Sequence, residues 1–276
     1  MSTLREKRKK ERRALRRRKT ADWTVVLILC AIAVCCGGYL IYHHWSVKQR
    51  ELEYERLRQE ETLSAATETV IAEPETEENT EETVIYCDPV YDFGQLHEQN
   101  EDIYAWIVVP GTQVDYPLLQ SGTDNYYLDY NLDHSKGYPG CIYTNQCNRK
   151  DFSDYNTVLY GHNMKNLSMF GSLKKYKTED FYKDHQFFTI YTSECAYRYQ
   201  IFAYYDVPET DEVYTVGFAP DETFQKFIDK MKQKSYDDTG VNVTKDDHIM
   251  TLSTCSTTGK RFVVHAVRIG EHALEK

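Results

Sequence analysis

The chain has 276 residues, of which 41% are hydrophobic, and a formal net charge of -10 at pH 7. This length exceeds what one small core requires, so the chain accommodates one domain of ordinary size plus appendages. The first twenty residues carry eleven Lys or Arg against two Glu, a charge of +9, which leaves about -19 on the rest. So strong an asymmetry excludes a chain of uniform composition and predicts distinct segments.

The basic segment, residues 1–22, precedes a long apolar stretch. A basic cluster considered alone could be a nucleic-acid-binding arm. Residues 23–42, however, contain no charge and are long enough to cross a bilayer as a helix. Aromatic side chains stand at both ends of this stretch, where they favour the membrane interface. We therefore predict a single-pass anchor in the cell membrane, with the N-terminus cytoplasmic, the C-terminal bulk extracellular and no nucleic-acid partner.

A cleaved signal peptide is the alternative for residues 23–42. The apolar region of a signal peptide is shorter, about 7–15 residues, and ends at a small-residue cleavage site. No convincing Ala-x-Ala sequence follows directly here, which favours an uncleaved anchor. The stretch contains Cys30, Cys35 and Cys36, which we interpret as apolar helix residues, with lipidation as the alternative.

Residues 43–83 are predicted to form a charged acidic linker. They are rich in Glu and Thr and poor in large apolar residues, so they bury too little surface to offset their ordering entropy. Residues 48–61 can form a charged helix, although Leu52 and Leu57 are too sparse for a coiled-coil seam. Residues 62–83 are typical of a self-repelling stalk. The folded domain is predicted over residues 84–276.

Eight β-rich runs separated by turn residues predict a mainly β domain. A short helix is expected first, at 93–100. The predicted strands are 104–109, 114–118, 141–144, 157–160, 187–192, 197–205, 248–254 and 261–269. Short strands at this spacing favour an antiparallel barrel or sandwich.

One packing helix is predicted between the sixth and seventh strands. Asp221 is a suitable N-cap residue for it. A single apolar stripe follows at helical spacing, made of Phe224, Phe227, Ile228 and Met231.

Residues 249–255, Ile-Met-Thr-Leu-Ser-Thr-Cys, alternate in the pattern of a half-buried strand. Leu252 is predicted to point inward, and Cys255 to lie at the strand end on the opposite face. A short polar turn then leads to Arg261 at the start of the last strand. A fixed cation beside a thiol favours the thiolate. The alternative is an inert cysteine, since free cysteine usually behaves as a small hydrophobe.

A catalytic thiol needs a base or an imidazolium within hydrogen-bond reach. Of the nine histidines, His162 is the best placed, because a β-rich run delivers it at its tip. A solvated loop histidine is the alternative for His162. Arg268 is a rival to Arg261, but counting by twos places it on the other face of the strand. His265 shares the face of Arg261 and either lines the site or packs in the core.

These three residue types suit acyl transfer, which needs a nucleophile, an acid for the leaving amine and a positive group for the oxyanion. Cys255 would attack a peptide carbonyl and His162 would protonate the departing amine. Arg261 would stabilise the oxyanion or hold the substrate, since arginine stays charged at any working pH. Water as acceptor would make the enzyme a protease and an amine would make it a transpeptidase; spacing leaves both open.

Several separate motifs resemble a class B sortase, a Gram-positive cell-surface transpeptidase. They are TLSTC, which ends at Cys255, YGHNM, which contains His162, SMFGSL, and RFVVH, which begins at Arg261, together with DIYAWIVVPGT, VDYPLLQ and DFSDYNTVLYGHNM. The resemblance extends over about residues 91–269. Carried over by position, His162, Cys255 and Arg261 are the catalytic histidine, nucleophile and arginine. The turn between Cys255 and Arg261 lacks the longer insertions of some members, which leaves the placement of Arg261 open.

The resemblance implies an eight-stranded sortase-type β-barrel with a few peripheral helices, preceded by a single transmembrane helix. The helix that begins at Asp221 would then lie in the connection before the cysteine strand, which helps to form the substrate groove in class B members. Ser253 faces the same side as Cys255 and is predicted to bind substrate. Leu128 is predicted to bind substrate too, with core packing as the alternative.

The resemblance also implies partners. Surface proteins with a C-terminal sorting motif would be cleaved after Thr through a thioacyl-enzyme and joined to an amine of peptidoglycan or of its lipid II precursor. A pilus-polymerising sortase would use a pilin lysine as acceptor instead. The alternative from another class is a catalytically idle peptide-binding module, which would not need His162, Cys255 and Arg261 together.

No cofactor or metal is predicted. The sequence contains no CxxC pair, no HExxH and no Asp-x-Asp-x-Asp-Gly loop. Cys141 and Cys147 lie six residues apart in a domain predicted to be exported, where disulfides are permitted, and Cys87 and Cys195 could also pair. Sequence does not set their geometry, and a free Cys255 beside four other cysteines of the predicted exported domain leads us to expect at most one bridge.

Overall fold

The computed structural model describes residues 2–66 and 91–274. The chain divides into two compact units, Met1–Gln49 and Arg50–Lys276. Helix α1, Ser2–Ala66, supplies the first unit and the beginning of the second. Among the described residues, one helical stretch, Trp23–Gln59, is long and apolar enough to cross a membrane, with a mean hydropathy of 2.5 in its best window. Length and composition alone do not separate an anchor from a signal sequence, since both pass this criterion.

The second unit is a closed β-barrel of eight strands. They are β1 Ile103–Val108, β2 Asp115–Leu119, β3 Ile142–Thr144, β4 Asn156–Tyr160, β5 Phe187–Tyr191, β6 Cys195–Pro208, β7 Ile249–Cys255 and β8 Lys260–Ala273. Their order around the barrel is β1-β2-β3-β4-β7-β8-β6-β5. Each of the eight predicted runs forms one of these strands, which confirms the mainly β barrel.

Further helices lie before the first strand and between later strands. They are α2 Phe93–Gln99, α3 Tyr126–Asp129, α4 Glu179–Asp184 and α5 Glu222–Lys234, with 3-10 helices at Phe170–Lys177 and Glu212–Tyr214. Helix α5 begins as predicted, because the Asp221 side chain accepts hydrogen bonds from the backbone N–H groups of Thr223 and Phe224. All four residues of its apolar stripe are buried. The helix therefore packs on the barrel in the connection that precedes β7.

Two strand pairs correct the expectation of an antiparallel sheet. Strand β2 pairs with β3 in parallel, and β4 pairs with β7 in parallel. Parallel neighbours need a crossover connection, whereas antiparallel ones can be joined by a tight turn. The long connections after β2 and β4 supply those crossovers, and sequence spacing did not reveal which strands they would bring together.

Strand β7 is buried on both faces, not on one as predicted. Met250 and Leu252 belong to the main core cluster. Ile249 belongs to a second cluster together with Phe224 of α5 and Val263 of β8. Strand alternation indicates which residues share a face, but it does not indicate that a helix covers the second face. Only Cys255, at the end of β7, is exposed.

The end of α1 corrects part of the predicted linker at 43–83. Tyr54 and Leu57 are each only 3% exposed and join the main core cluster. The Tyr54 hydroxyl donates to the backbone oxygen of Gly140 at 3.1 Å, and Arg50 forms an ion pair with Asp133 at 2.7 Å. These two apolar residues lie one helical turn apart, so they form one buried contact without needing a coiled-coil seam. Helix α1 extends to Ala66, and residues 67–83 of the predicted linker and the boundary at 84 lie outside the described residues.

Candidate active site

The parallel pairing of β4 with β7 brings the two chemically active strand ends together. Tyr160 on β4 lies opposite Ser253 on β7. The backbone N–H of Gly161 donates to the Ser253 oxygen at 3.2 Å, so the ladder continues past the end of β4. His162 lies two residues after Tyr160, just past the end of β4, and Cys255 lies two residues after Ser253, at the end of β7. The register therefore delivers imidazole and thiol to the same face and the same edge of the barrel.

The hairpin between β7 and β8 places a guanidinium on the thiol. Cys255 and Arg261 are directly opposite each other. The Arg261 Nη1 donates to the Cys255 Sγ at 3.2 Å and also contacts the Glu209 Oε1 at 2.9 Å. A charged donor at this distance stabilises negative charge on sulfur. The sequence left the placement of Arg261 open because the turn after Cys255 is short; in the structure this turn permits the contact between Arg261 and Cys255.

The turn that joins these strands is itself held in place. The Ser256 N–H donates to the Lys260 oxygen at 3.0 Å. The Lys177 Nζ donates to the Ser256 hydroxyl at 3.0 Å and pairs with Asp206 at 2.7 Å. Cys255 and Arg261 are thus joined by a turn with fixed partners.

The His162 imidazole lies beside the backbone of α3. Its Nε2 is 2.7 Å from the Leu128 oxygen. A carbonyl oxygen only accepts, so Nε2 must carry the proton of this bond. The Tyr138 ring packs on the imidazole, with ring centroids 4.8 Å apart. These contacts fix the ring and leave Nδ1 as the nitrogen that is available for chemistry.

A cleft of about 380 Å³ contains the three predicted catalytic residues, and both predicted substrate-binding residues line it as well. The lining residues come from the α3 region, from β3 and its end, the ends of β4 and β7, the start of β8 and the connection from β6 to α5. They are Asp124, Asn125, Leu128, Tyr143, Asn145, Tyr160, Gly161, His162, Glu209, Tyr214, Ser253, Thr254, Cys255 and Arg261.

Three functional contacts were not predicted from the sequence. The Asn163 Nδ2 donates to the backbone oxygen of Cys255 at 2.7 Å, and its position next to His162 was an available signal. The Tyr214 and Ser253 hydroxyls are 3.1 Å apart, and Glu209 pairs with Arg261. Tyr214 and Glu209 reach the site from the connection between β6 and α5, and no local pattern indicates which strand end such a connection will face.

Arg268 and His265, the other two residues of β8 that the sequence offered for the site, lie outside the cleft. The Arg268 guanidinium lies over the Tyr197 ring, 5.2 Å from its centroid, and does not line the cleft. His265 is fully buried, and this burial lowers its pKa to about 3. The structure thus places Arg261 at the thiol and His265 in the interior, outside the lining of the cleft.

The remaining cysteines of the barrel unit are not bridged where they are described. Cys141, Cys147 and Cys195 are all free thiols, and Cys87 lies outside the described residues. Burial raises the pKa of Cys141 to about 12. The exposed thiol that carries a cationic partner is therefore Cys255.

Comparison with known proteins gives consistent matches. The sortase domain family matches residues 107–269. Sortase B of Staphylococcus aureus is 32% identical over 88% of this chain and 95% of its own length, and sortase B of Listeria monocytogenes is 39% identical over 59% of this chain and 66% of its own. The structure of a Staphylococcus aureus sortase B–substrate complex matches with a TM-score of 0.68, at 32% identity, over 80% of this chain and 97% of that one. The chain therefore belongs to the sortase family and is a class B sortase, a cysteine transpeptidase of surface proteins.

Proposed function

We propose that this sortase cleaves a C-terminal sorting signal after Thr and transfers the new carboxyl end to an amine of peptidoglycan or of its lipid II precursor. The observation that carries the proposal is the 3.2 Å contact between the Arg261 guanidinium and the Cys255 sulfur, in a cleft that also contains His162. The matched Staphylococcus aureus structure is a complex with substrate, which supports a peptide as the occupant of this cleft.

The first step forms the thioacyl-enzyme. The Cys255 thiol gives its proton to the His162 Nδ1, and the resulting thiolate attacks the carbonyl carbon of Thr, so that a negative charge develops on the carbonyl oxygen. Arg261 already lies within reach of the sulfur, so its N–H groups can stabilise that oxyanion. When the intermediate collapses, the C–N bond breaks and His162 gives its Nδ1 proton to the departing amine. The C-terminal fragment then leaves, and the acyl group remains on sulfur as a thioester.

The second step resolves the thioester with an amine. The amine nitrogen attacks the thioester carbonyl, the C–S bond breaks and Cys255 leaves as thiolate. His162 takes the proton that the attacking nitrogen loses, which restores the thiolate and the protonated imidazole that began the attack in the first step. The Leu128 oxygen holds the opposite nitrogen of the ring throughout, so the proton is exchanged at Nδ1 in both steps.

Substrate binding is assigned to the wall of the cleft beside the thiol. Ser253 lies two residues before Cys255 on the same face of β7, and its hydroxyl is paired with that of Tyr214. Leu128 lines the cleft and also supplies the backbone oxygen that orients His162. Its contribution to activity therefore includes a backbone role, which a side-chain substitution would leave in place.

We further propose that the apolar stretch of α1 is an uncleaved membrane anchor, with the basic N-terminus cytoplasmic and the barrel outside the cell. Its length and hydropathy support a span, and the positive charge on residues 1–22 supports this orientation. An enzyme held at the extracellular face of the cell membrane would meet surface proteins as they are exported across it.

Mass spectrometry tests this function. The fragment Arg50–Lys276 is incubated with a panel of Thr-containing sorting peptides, with and without glycine or a diaminopimelate-type amine. We expect an acyl adduct on Cys255 that disappears when the amine is added, with formation of an amide-linked product. Cys255→Ala is the matched control and should give neither species.

The other outcomes separate the alternatives. A product with a peptide lysine, but none with cell-wall amines, would favour a pilus-polymerising sortase. Release of free acid at an unchanged rate with every amine would refute transpeptidation with these acceptors. Binding of peptide without any adduct on Cys255 would refute the proposed chemistry.

A further inference from the structure

Behind the cleft, three polar side chains are buried on neighbouring strands. They are Asn156 on β4, Thr251 on β7 and His265 on β8, and each has 0% exposure. Thr251 lies directly opposite His265 in the β7–β8 pairing. Buried polar groups require hydrogen-bond partners, so the bonds among these three define their arrangement.

The Asn156 amide has only one orientation that satisfies its neighbours. Its Nδ2 donates to the backbone oxygen of Thr215 at 2.8 Å and to that of Val213 at 3.3 Å. Both partners are carbonyl oxygens that only accept, so the nitrogen must face them. The Oδ1 of Asn156 then faces Thr251 and accepts its hydroxyl proton at 3.0 Å.

The direction of the next bond follows from this one. The Thr251 hydroxyl has a single hydrogen, which goes to Asn156, so its oxygen accepts from the His265 Nδ1 at 3.0 Å. His265 is therefore the tautomer with its proton on Nδ1. Its strongly lowered pKa, caused first by burial, agrees with a neutral ring. All donors point one way, from His265 through Thr251 and Asn156 to the backbone of Val213 and Thr215.

The two carbonyls at the end of this chain flank Tyr214. The Tyr214 hydroxyl is 3.1 Å from the Ser253 Oγ, and its ring stacks on Tyr160 with centroids 6.0 Å apart. Tyr214, Ser253 and Tyr160 all line the cleft. We propose that His265, Thr251 and Asn156 are positioning residues that hold Tyr214 against Ser253 in the wall of the substrate cleft. This inference rests on the proposed function of that cleft.

Other contacts also hold the Glu212–Tyr214 turn: Val213 is buried in the second core cluster, and the Thr215 N–H donates to the Glu212 oxygen at 2.9 Å. The Asp211 side chain accepts from the Val213 N–H at 3.2 Å, and Lys234 pairs with Asp211 at 2.9 Å. Asn156, in contrast, bonds to the residues on both sides of Tyr214. Loss of the buried chain should therefore displace Tyr214 and leave the turn folded.

Thr251→Val in the full-length enzyme, held in detergent micelles, tests the inference. Valine keeps the shape of threonine and removes the hydroxyl that links His265 to Asn156. With the sorting peptide that the wild type cleaves best, we expect KM to rise about fivefold, the equivalent of one hydrogen bond, with kcat changed less than about twofold. Thr251→Ser is the matched control, because it keeps the hydroxyl and should restore the wild-type KM.

A double-mutant cycle with Tyr214→Phe separates positioning from general damage. Tyr214→Phe alone should raise KM by a similar factor, and Thr251→Val should add little to it. The inference is overturned if Thr251→Val lowers only the melting temperature and leaves KM unchanged, if the two effects multiply, or if Thr251→Ser fails to rescue. Failure of the wild type to cleave any peptide would instead refute the proposed function, and peptide affinity measured in Cys255→Ala would then decide the role of Thr251.

Discussion

The contact between the end of α1 and the barrel has a measurable energetic consequence. Leu57 is 3% exposed and lies in the main core cluster, whereas Leu52 on the same helix is 40% exposed. Truncating a buried leucine to alanine costs about 2–5 kcal/mol. We expect about 2 kcal/mol for Leu57→Ala, at the low end because one short helical segment can shift to fill the space. Leu52→Ala should cost less than about 0.5 kcal/mol.

Tyr54 adds a polar component to the same contact. Its hydroxyl donates to the Gly140 oxygen at 3.1 Å, so Tyr54→Phe should cost about 1 kcal/mol, the net value of one hydrogen bond. Deleting residues 1–83 removes both side chains, so it should cost about 3–5 kcal/mol relative to Arg50–Lys276. We expect the shorter fragment to stay soluble and active, but with lower stability.

Urea denaturation of the fragment Arg50–Lys276 is a direct assay, because Trp106 is its only tryptophan and is fully buried. The fluorescence of Trp106 reports unfolding of the barrel core and not of the α1 segment at the start of the fragment. Equal shifts for Leu57→Ala and Leu52→Ala, or no shift for either, would refute the packing of this helix on the barrel. A large shift for Leu57→Ala alone would show that the catalytic unit begins upstream of residue 84.

Three further predictions concern the barrel. Cys255→Ala should reduce peptide cleavage below about 1% of wild type and leave the urea midpoint unchanged; higher residual turnover would exclude Cys255 as nucleophile. Arg261→Lys should lose much of the activity because a bidentate fork becomes a point charge, whereas Arg268→Lys, away from the cleft, should not; the reverse result would move the catalytic cation to Arg268. The pKa of His265 lies below its unfolded value, so the unfolded state binds the proton first and stability should fall by about 1 kcal/mol from pH 6 to pH 5. His265→Asn should remove this dependence of stability on pH, which urea titrations at each pH would measure. An unchanged pH dependence would refute a buried, neutral His265 as its cause.

Local patterns were sufficient for the eight strands, for α2 and α5 and for naming candidate catalytic residues, but they did not predict α3, α4 or the two 3-10 helices. β-rich runs separated by turn residues located all eight strands, and the stripe from Phe224 to Met231 identified α5. Counting by twos from Arg261 also separated it from Arg268, because both lie on β8 and no neighbouring strand is needed for that argument.

Properties that depend on neighbours could not be obtained in this way. The prediction that β7 is half-buried was wrong because α5 covers its second face. The predicted linker included Tyr54 and Leu57, because these residues are buried only by contact with the barrel. The parallel neighbours of β7 and the approach of Glu209 and Tyr214 depend on long connections. Those connections close through tertiary packing, which leaves no local periodicity in the sequence.

The parallel pairing of β4 with β7 also determines when during folding this enzyme acquires its chemistry. His162 and Cys255 are separated by the strands β5 and β6 and by α5 in the chain, and they meet only when that whole segment has returned to the barrel. Contacts of such long sequence separation form late, because loop-closure entropy must be overcome first. The hairpin contact between Cys255 and Arg261, in contrast, is local and can form early. In a refolding experiment, therefore, the backbone amides of the β7–β8 hairpin should become protected from hydrogen exchange before peptide cleavage returns. Regained activity would mark closure of the barrel.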